Sequence, residues 1–428
     1  MDPVPLSEED RAILALESDT IAGHTCKVIR VEGPGVDLGS LRERVAARLD
    51  SAPLLMSRLG GEAATPSWVA DPDFAVERHV VAAGEGRGGG AMDPGAVPGL
   101  VAELFAEHLD RDRPLWRLDV SQLSSGETLL VWRVHHALAD GMTCMRLTQQ
   151  LLLDPEPAYE ASGPTAAVGS QAAHTEADHE RRRGHLAKLL TREFSESAHH
   201  SPFDSEVGRR REVAFATVPL PPLHDAAKEL CGASVNDAVL TVVAGGIRAW
   251  LDSVHETAET LRFKVPVSLH TEGDDAGNRD SFFTLPVHLQ EPDARARLEA
   301  IHAAAAERKR DHDAERLESL SESAERRAPA LAALLKRVEA SPRSFALCVS
   351  NVPGPRAAVR VAGARVRSLH SLAEIGRRHG LRVAVVSLAG ELHFGVCADP
   401  ALLGDLTPLV AGIEADAAAL SAAAPRQP

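Results

Sequence analysis

Aromatic residues are scarce in this chain: Phe, Trp and Tyr make up 4% of it, with a single tyrosine. That argues against a surface of stacked rings, which single-stranded nucleic acid prefers, and it predicts aliphatic cores built on Ala, Val and Leu. Cations are also in deficit, Lys+Arg 46 against Asp+Glu 61, for a net charge of −15. Nucleic acid is therefore not expected as a partner, because phosphate binding rests on clustered cations. A local basic patch for a phosphorylated ligand stays open. The five cysteines (26, 144, 231, 348 and 397) show no CxxC spacing, so free, mostly buried thiols in a reducing cytoplasmic setting are expected. No run approaches the roughly 20 apolar residues that span a bilayer. The opening stretch has no basic segment followed by an apolar one, so no secretory signal is expected, and membrane contact is expected to be peripheral.

What is present is a chain of 428 residues, 44% hydrophobic and 25% charged. The composition is globular, and the length suits two or three domains at roughly 150 residues each. Strand patterns at 24–32, 128–136, 213–220, 262–269, 345–351 and 359–369, with a hairpin 381–388/391–398, intermix with helical patterns. The helical patterns fall at 41–49, 98–109, 142–153, 223–231, 235–251 and 293–339. The regular βα rhythm of a doubly wound sheet is missing, so mixed α/β sheets in two domains are expected. The polar, Ala/Gly/Ser/Pro/His-rich stretch after 155 marks the junction. The expected division is an N-terminal domain 1–160, a linker 161–208 and a C-terminal domain 209–428. A Gly-rich stretch at 83–90 reads as a loop rather than a phosphate cradle.

The strand 128–136 runs into His135-His136-Ala137-Leu138-Ala139-Asp140-Gly141. Strand alternation puts Leu130, Trp132, Val134 and His136 on one face, and Val131, Arg133 and His135 on the other. The two histidines therefore cannot share one cavity: one can act as a base while its neighbour packs or hydrogen-bonds behind it. Asp140 falls at the start of a helix, where a carboxylate is favoured and could also grip an arginine. Gly141 suits a tight helix entry at which a Cβ would obstruct the backbone or a ligand. A hydroxyl hardly ionises at neutral pH, so its attack on a thioester needs a base such as imidazole. Positioned proton transfer of this kind contributes ~10²–10⁴-fold. The same pair also suits a satisfied core pair or two ligands of a zinc site, although neither HExxH nor a cysteine partner is present.

The pattern His-His-xxx-Asp-Gly resembles the signature of the CoA-dependent acyltransferase superfamily. More narrowly, the chain is similar to the bacterial wax ester synthase/diacylglycerol acyltransferase family along residues 5–415. Matching stretches fall in order: Pro5-Leu6-Ser7, Pro114-Leu115-Trp116, the histidine motif, Ser234-Val235-Asn236-Asp237, Val265-Pro266-Val267-Ser268-Leu269 with Gly277-Asn278, and Ser350-Asn351-Val352-Pro353-Gly354-Pro355. Leu392-His393-Phe394-Gly395 and Asp399 close the series. The resemblance implies two chloramphenicol-acetyltransferase-like domains with a tunnel between them. It implies His136 as catalytic base within a motif completed by His135, Asp140 and Gly141. Asp140 would hold the loop through an arginine, and Gly141 would leave access to the thioester. It sets Pro114, Trp116, Trp132, Asn236, Asp237 and Asn278 along the tunnel, with Asn278 as polar contact for the reacting carbonyl. It implies no metal and no cofactor beyond acyl-CoA as substrate. Acyl-CoA or an acyl carrier protein would be the donor, and a long-chain alcohol or diacylglycerol the acceptor. A cytoplasmic enzyme at the periphery of a membrane or lipid inclusion is the matching location.

Several of these stretches have purely local readings. Ser234-Val-Asn-Asp237 is a capping box. Gly245-Gly246 within a helix predicts a close approach by another helix or a ligand. Val352-Pro-Gly-Pro355 is turn chemistry, and Arg209-Arg210-Arg211 reads as a solvated face. The chain departs from the family pattern at Ile21-Ala22-Gly23-His24-Thr25-Cys26 and at His270. An enzyme acylating a specialised metabolite and a non-catalytic lipid- or carrier-binding scaffold are the alternatives.

Overall fold

The strand before the histidine motif is buried on both sides. Leu130, Trp132 and Val134 join one apolar cluster together with Cys144 and Met145, whereas Leu129 and Val131 join another with Val101 and Phe105. A single strand thus serves two cores, which requires a sheet covered on both faces. The computed structural model describes residues 3–33, 35–62, 65–83, 91–156, 201–268, 280–310 and 344–423.

The first half contains β1 (Val4–Pro5), α1 (Glu8–Leu16), β2 (His24–Val31), α2 (Leu38–Ala46), β3 (Ser57–Glu62), β4 (Thr65–Ala70), α3 (Val76–His79), β5 (Val80–Ala82), α4 (Val97–Ala106), β6 (Trp116–Gln122), β7 (Thr128–His135), α5 (Gly141–Leu151) and β8 (Asp154–Pro155). The second half contains β9 (Glu212–Pro219), α6 (Leu220–Cys231), α7 (Val235–Ser253), β10 (Thr260–Ser268), β11 (Asp280–His288), α8 (Ala294–Arg310), β12 (Leu347–Val352), β13 (Val359–Val361), β14 (Ala364–Ala373), β15 (Leu381–Leu388), β16 (Glu391–Ala398), α9 (Pro400–Leu403) and α10 (Thr407–Ala423). Seven strands form one sheet in the order β5-β6-β7-β2-β14-β13-β8. Six form another, β11-β10-β12-β15-β16-β9, and β1-β4-β3 make a small third sheet. Both large sheets mix parallel and antiparallel pairs, for example β12/β15 parallel and β15/β16 antiparallel, as a mixed α/β fold requires.

β13 and β14, from the second half of the chain, lie inside the first sheet. β14 pairs with β2 from Ala373↔Thr25 to Val366↔Val31. The division of the chain by residue number at 208/209 is thus not the division between the sheets. The end of the expected linker is packed: Phe203 sits in the core of the second sheet, and Val207 in the cluster beneath α4. Residues 161–200 of that linker, the last residues of the expected N-terminal domain (157–160) and the Gly-rich stretch from 84 to 90 lie outside the described residues.

Close approaches weld the layers. A Cβ on Gly246 would come 2.5 Å from the Leu409 carbonyl, and one on Gly245 would collide with the Asp416 carboxylate. The partner that the two glycines admit is therefore the helix α10. A Cβ on Gly395 of β16 would collide with the Ser371 carbonyl of β14, so the two sheets meet there. Val386 and Leu388 of β15 join the first sheet's cluster across the same seam.

The hairpin β15–β16 turns through Ala389 and Gly390, both at positive φ, as a two-residue turn of matching twist requires. Among the strands that escaped the sequence patterns are β11 and the β3–β4 hairpin. β11 carries Pro286, which is tolerated because β11 is an edge strand. The β3–β4 hairpin contains Gly60-Gly61, which masks its alternation. Among the described residues no single helix is long and apolar enough to cross a membrane. The bent pair α6–α7 together has the length and apolar composition of a span, but α7 is largely buried in the protein.

Candidate active site

β7 ends at His135, and the chain then turns through Ala137-Leu138-Ala139 into α5. The His135 carbonyl accepts from the N–H groups of Leu138 (2.9 Å) and Ala139 (3.2 Å), which closes the turn. Asp140 is the helix cap: its Oδ1 accepts from the Thr143 N–H at 2.6 Å, and the residue is buried. A capping carboxylate both satisfies an end donor and faces the positive end of the helix. Asp140 therefore fixes where the loop stops.

The two histidines diverge as alternation requires. His135 points back into the protein. Its Nδ1 accepts from the Ala137 N–H at 3.1 Å, so Nε2 bears the proton, and that atom lies 3.4 Å from Glu17 Oε2. Burial pushes the Glu17 carboxyl up, but His135 and Arg111 outweigh it and hold the group below its ordinary value. Beneath the same face Arg133, wholly buried, donates to the Leu104 and Glu107 carbonyls at the end of α4 and to Asp119 Oδ2 at 2.9 Å. This is a cation placed at a helix C-terminus. His135 is a buttress.

His136 is half-buried. Its N–H donates to the Gly23 carbonyl at 2.9 Å. Burial pushes its pKa down to about 4, the charge of Arg382 adds to the drop, and Asp140 opposes it. The imidazole is therefore neutral at pH 7, with a ring nitrogen able to accept a proton. Arg382 lies on β15 of the second sheet. A Cβ on Gly141 would meet Val352 Cγ2, at the end of β12, at 3.6 Å. The motif thus leaves the first sheet and faces the second, at the seam between them.

That contact with Val352 is ordinary van der Waals spacing, and Gly141 does not have positive φ. The protein backbone therefore does not require glycine at 141, which corrects one half of the sequence-based reading. The half that remains is space for a ligand.

The expected tunnel residues sit mostly in packed positions. Trp116 is buried, donates Nε1–H to the Leu55 carbonyl at 2.7 Å, and stacks on His79 with ring centroids 4.6 Å apart. Pro114 is buried beside it and accepts from the Trp116 N–H at 2.8 Å. Trp132 belongs to the first sheet's core. Asp237 completes the capping box with Ser234 and contacts His302 Nδ1 at 2.9 Å, and Asn236 is half-buried in the same helical turn. Asn278 and His270 lie outside the described residues. Val352-Pro-Gly-Pro355 turns against β15, where a Cβ on Gly354 would collide with the Ser387 carbonyl. Among the described residues no group of three or more His, Cys, Asp or Glu could hold a metal ion.

Sequence reasoning missed Glu17, Gly23 and Arg382. Each reaches the motif from a distant segment, through pairing that no local pattern announces. Gly23 was singled out only as a departure.

Residues 6–196 match the wax ester synthase/diacylglycerol acyltransferase catalytic domain, and residues 276–421 match the C-terminal domain of the same family. A protein of Mycobacterium tuberculosis named as a diacylglycerol O-acyltransferase is 30% identical over 435 residues, covering 91% of this chain and 93% of the relative. Among solved structures, the wax ester synthase/diacylglycerol acyltransferase of Marinobacter aquaeolei VT8 superposes with a TM-score of 0.72 at 22% identity, over 98% of this chain and 99% of that one. The starter condensation domain of rhizomide synthetase, solved as a variant in complex with C8-CoA and Leu-SNAC, superposes with a TM-score of 0.61 at 17% identity, over 99% and 95%.

Proposed function

Since the chain belongs to the wax ester synthase/diacylglycerol acyltransferase family and is an acyltransferase, we propose that His136 is the general base for transfer of a fatty acyl group from acyl-CoA to the hydroxyl of diacylglycerol or a long-chain alcohol. The observation that carries this reading is the neutral, half-buried imidazole of His136, held at the seam of the two sheets. A lone pair on a ring nitrogen takes the hydroxyl proton as the alcohol oxygen attacks the thioester carbonyl. The tetrahedral intermediate then collapses with cleavage of the C–S bond, and the imidazolium returns the proton to the departing thiolate. Asp140 raises the affinity of the ring for that proton, so it stabilises the charged form at the moment it exists. His135, turned away and tied to Glu17 and Ala137, keeps the loop in register. In this reading a tunnel at the seam of the two sheets would bring thioester and alcohol to His136 from opposite ends. No metal enters these steps, and acyl-CoA is a substrate rather than a resident cofactor.

Water-insoluble acceptors reside in lipid, so the same reading has a cytoplasmic enzyme working at the periphery of a membrane or lipid inclusion. Sedimentation with vesicles containing diacylglycerol tests that location. One observation favours a second reading, in which the acyl or acceptor chain carries a polar group, as in a specialised metabolite or a carrier-bound chain. Lys27 is wholly buried opposite Trp132, with its Nζ 2.8 Å from Ser371 Oγ, on the sheet face that also carries His136. Thiol release measured with hexadecanol, diacylglycerol and a polar alcohol separates the two readings. His136→Ala should abolish thiol release with the fold intact by circular dichroism; wild-type turnover in that variant refutes the base, and tight binding with no turnover by the wild type would leave a lipid- or carrier-binding scaffold.

A further inference from the structure

The cation run Arg209–Arg211 does not form one solvated face. Arg209 is exposed beside Asp19, whereas the Arg211 side chain is buried and makes four hydrogen bonds. Its Nε donates to Glu374 Oε1 at 2.8 Å, Nη1 donates to the Gly208 carbonyl (2.8 Å) and the Arg210 carbonyl (2.9 Å), and Nη2 donates to the Thr20 carbonyl. Glu374, equally buried, follows the last residue of β14. Its Oε2 accepts from the Ala22 N–H at 3.1 Å, and its Oε1 also accepts from the Ile375 N–H at 3.1 Å. The two side chains therefore hold the backbone of residues 20–22 from both ends, one by a carbonyl and one by an amide.

The next residue is Gly23, whose carbonyl accepts from the His136 N–H and whose added Cβ would press on His135 Nε2. The Glu374 carbonyl in turn accepts from Arg382 Nη1 at 3.0 Å, and Arg382 is the cation that acts on His136. One buried ion pair thus joins three distant segments: the turn before β2, the residue before β9, and the end of β14. All three converge on the histidine. A buried pair of this kind is weak evidence for stability, because desolvation offsets most of the Coulomb gain. Its directed contacts are what remain to be explained.

We propose that Arg211 and Glu374 are positioning residues for acyl transfer: through the 20–23 turn and Arg382 they set the depth and orientation of His136 at the seam. This rests on His136 being the base. The charged and titratable groups that act on His136 are Arg382 from β15, Asp140 on its own loop and the neighbouring His135.

The test uses the full chain. Glu374→Gln keeps the size of the side chain but removes its charge. Arg211→Lys keeps the charge but loses the forked guanidinium that reaches Glu374 and Thr20 together. Each should lower kcat about tenfold or more while KM for both substrates stays within about twofold, as expected for misplacement of a catalytic group. In Glu374→Gln the acid limb of the kcat/KM profile should also move upward by at least about half a pH unit, because water admitted at a loosened turn restores part of the ring's basicity. Glu127→Gln is the control. It breaks the contacts of Glu127 with Arg30 and Arg367 at the far end of β7 and should leave kcat and the profile unchanged.

Wild-type kcat and profile in folded Glu374→Gln overturn the proposal, as does an equal loss in Glu127→Gln. Failure of both variants to fold also overturns it, since the pair would then serve the fold alone. His136→Ala keeps the two readings apart: an inert His136→Ala beside a wild-type-like Glu374→Gln rejects only the positioning role, and an active His136→Ala rejects the base itself.

Discussion

Gly23 abuts the Nε2 edge of the His135 imidazole: a Cβ added at position 23 would stand 2.8 Å from His135 Nε2, and the residue holds φ at +70°. Both facts demand glycine, one through space and the other through backbone conformation. Gly23→Ala should cost about 1–3 kcal/mol of unfolding free energy, read by urea denaturation. It should also lower kcat about tenfold or more by displacing the carbonyl that holds His136. A stable variant with full turnover would contradict the close packing.

Gly141 gives the opposite pattern. Its added methyl would meet only Val352 Cγ2, at 3.6 Å, so Gly141→Ala should change stability by no more than about 0.5 kcal/mol. If the thioester passes over this position, kcat/KM should still fall about 10- to 100-fold. Denaturation and steady-state kinetics on one preparation distinguish the two effects, and unaltered kinetics would remove the ligand-space reading of this glycine.

Trp116 is expected to matter to the fold and not to turnover. Trp116→Phe keeps the ring packing on His79 but removes the Nε1–H bond to the Leu55 carbonyl. The loss should be about 1–3 kcal/mol of stability for an unsatisfied buried carbonyl, with kcat/KM within about twofold of wild type at a temperature where the variant is folded. A selective loss of kcat/KM would move Trp116 from the core to the substrate path.

The rate should persist into acid. A base is active when neutral, and His136 is held down to about 4 by burial and Arg382. The acid limb of kcat/KM, which reports the free enzyme, should therefore fall near pH 4 and not near 6.5. Thiol release measured in constant-ionic-strength buffers checks this, provided the assay is short compared with acid unfolding.

Acid unfolding itself has a predicted window. Burial holds His370 down to about 3, with His393 adding to the drop, and burial holds His393 down to about 4. Their rings meet edge to face at 5.0 Å where β14 crosses β16. In the unfolded chain these groups take up protons near 6.5, while the folded protein stays unprotonated until much lower pH. Stability contributed by the neutral rings is thus complete above about pH 7, declines as pH falls through 6.5, and is gone once pH has dropped through the folded values. Each unit of separation is worth ~1.4 kcal/mol per group. The unfolding free energy should fall by several kcal/mol from neutrality to about pH 4, and His370→Phe should flatten that slope. A slope unchanged in His370→Phe would show that other groups govern acid lability.

Much of the site was legible in the residues. The alternation of Leu130, Trp132, Val134 against Leu129, Val131 follows from strand geometry alone, and with it the divergence of His135 from His136. The Asp140 cap, the Ser234 capping box and the Ala389-Gly390 turn are likewise local. The glycines at 245 and 246 announced a close neighbour, although only packing identified it as α10.

What local chemistry determined here is where the chain bends, which side chains share a strand face, and that the two imidazoles diverge; these depend on residues a few positions apart. The tertiary structure alone decided that β14 leaves its own half to lie against β2, that Arg211 is buried while Arg209 is exposed, and that Arg382 and Glu17 reach the histidine motif. Such contacts join residues up to hundreds of positions apart. They form only when two covered sheets close on each other, so no short window of sequence carries them.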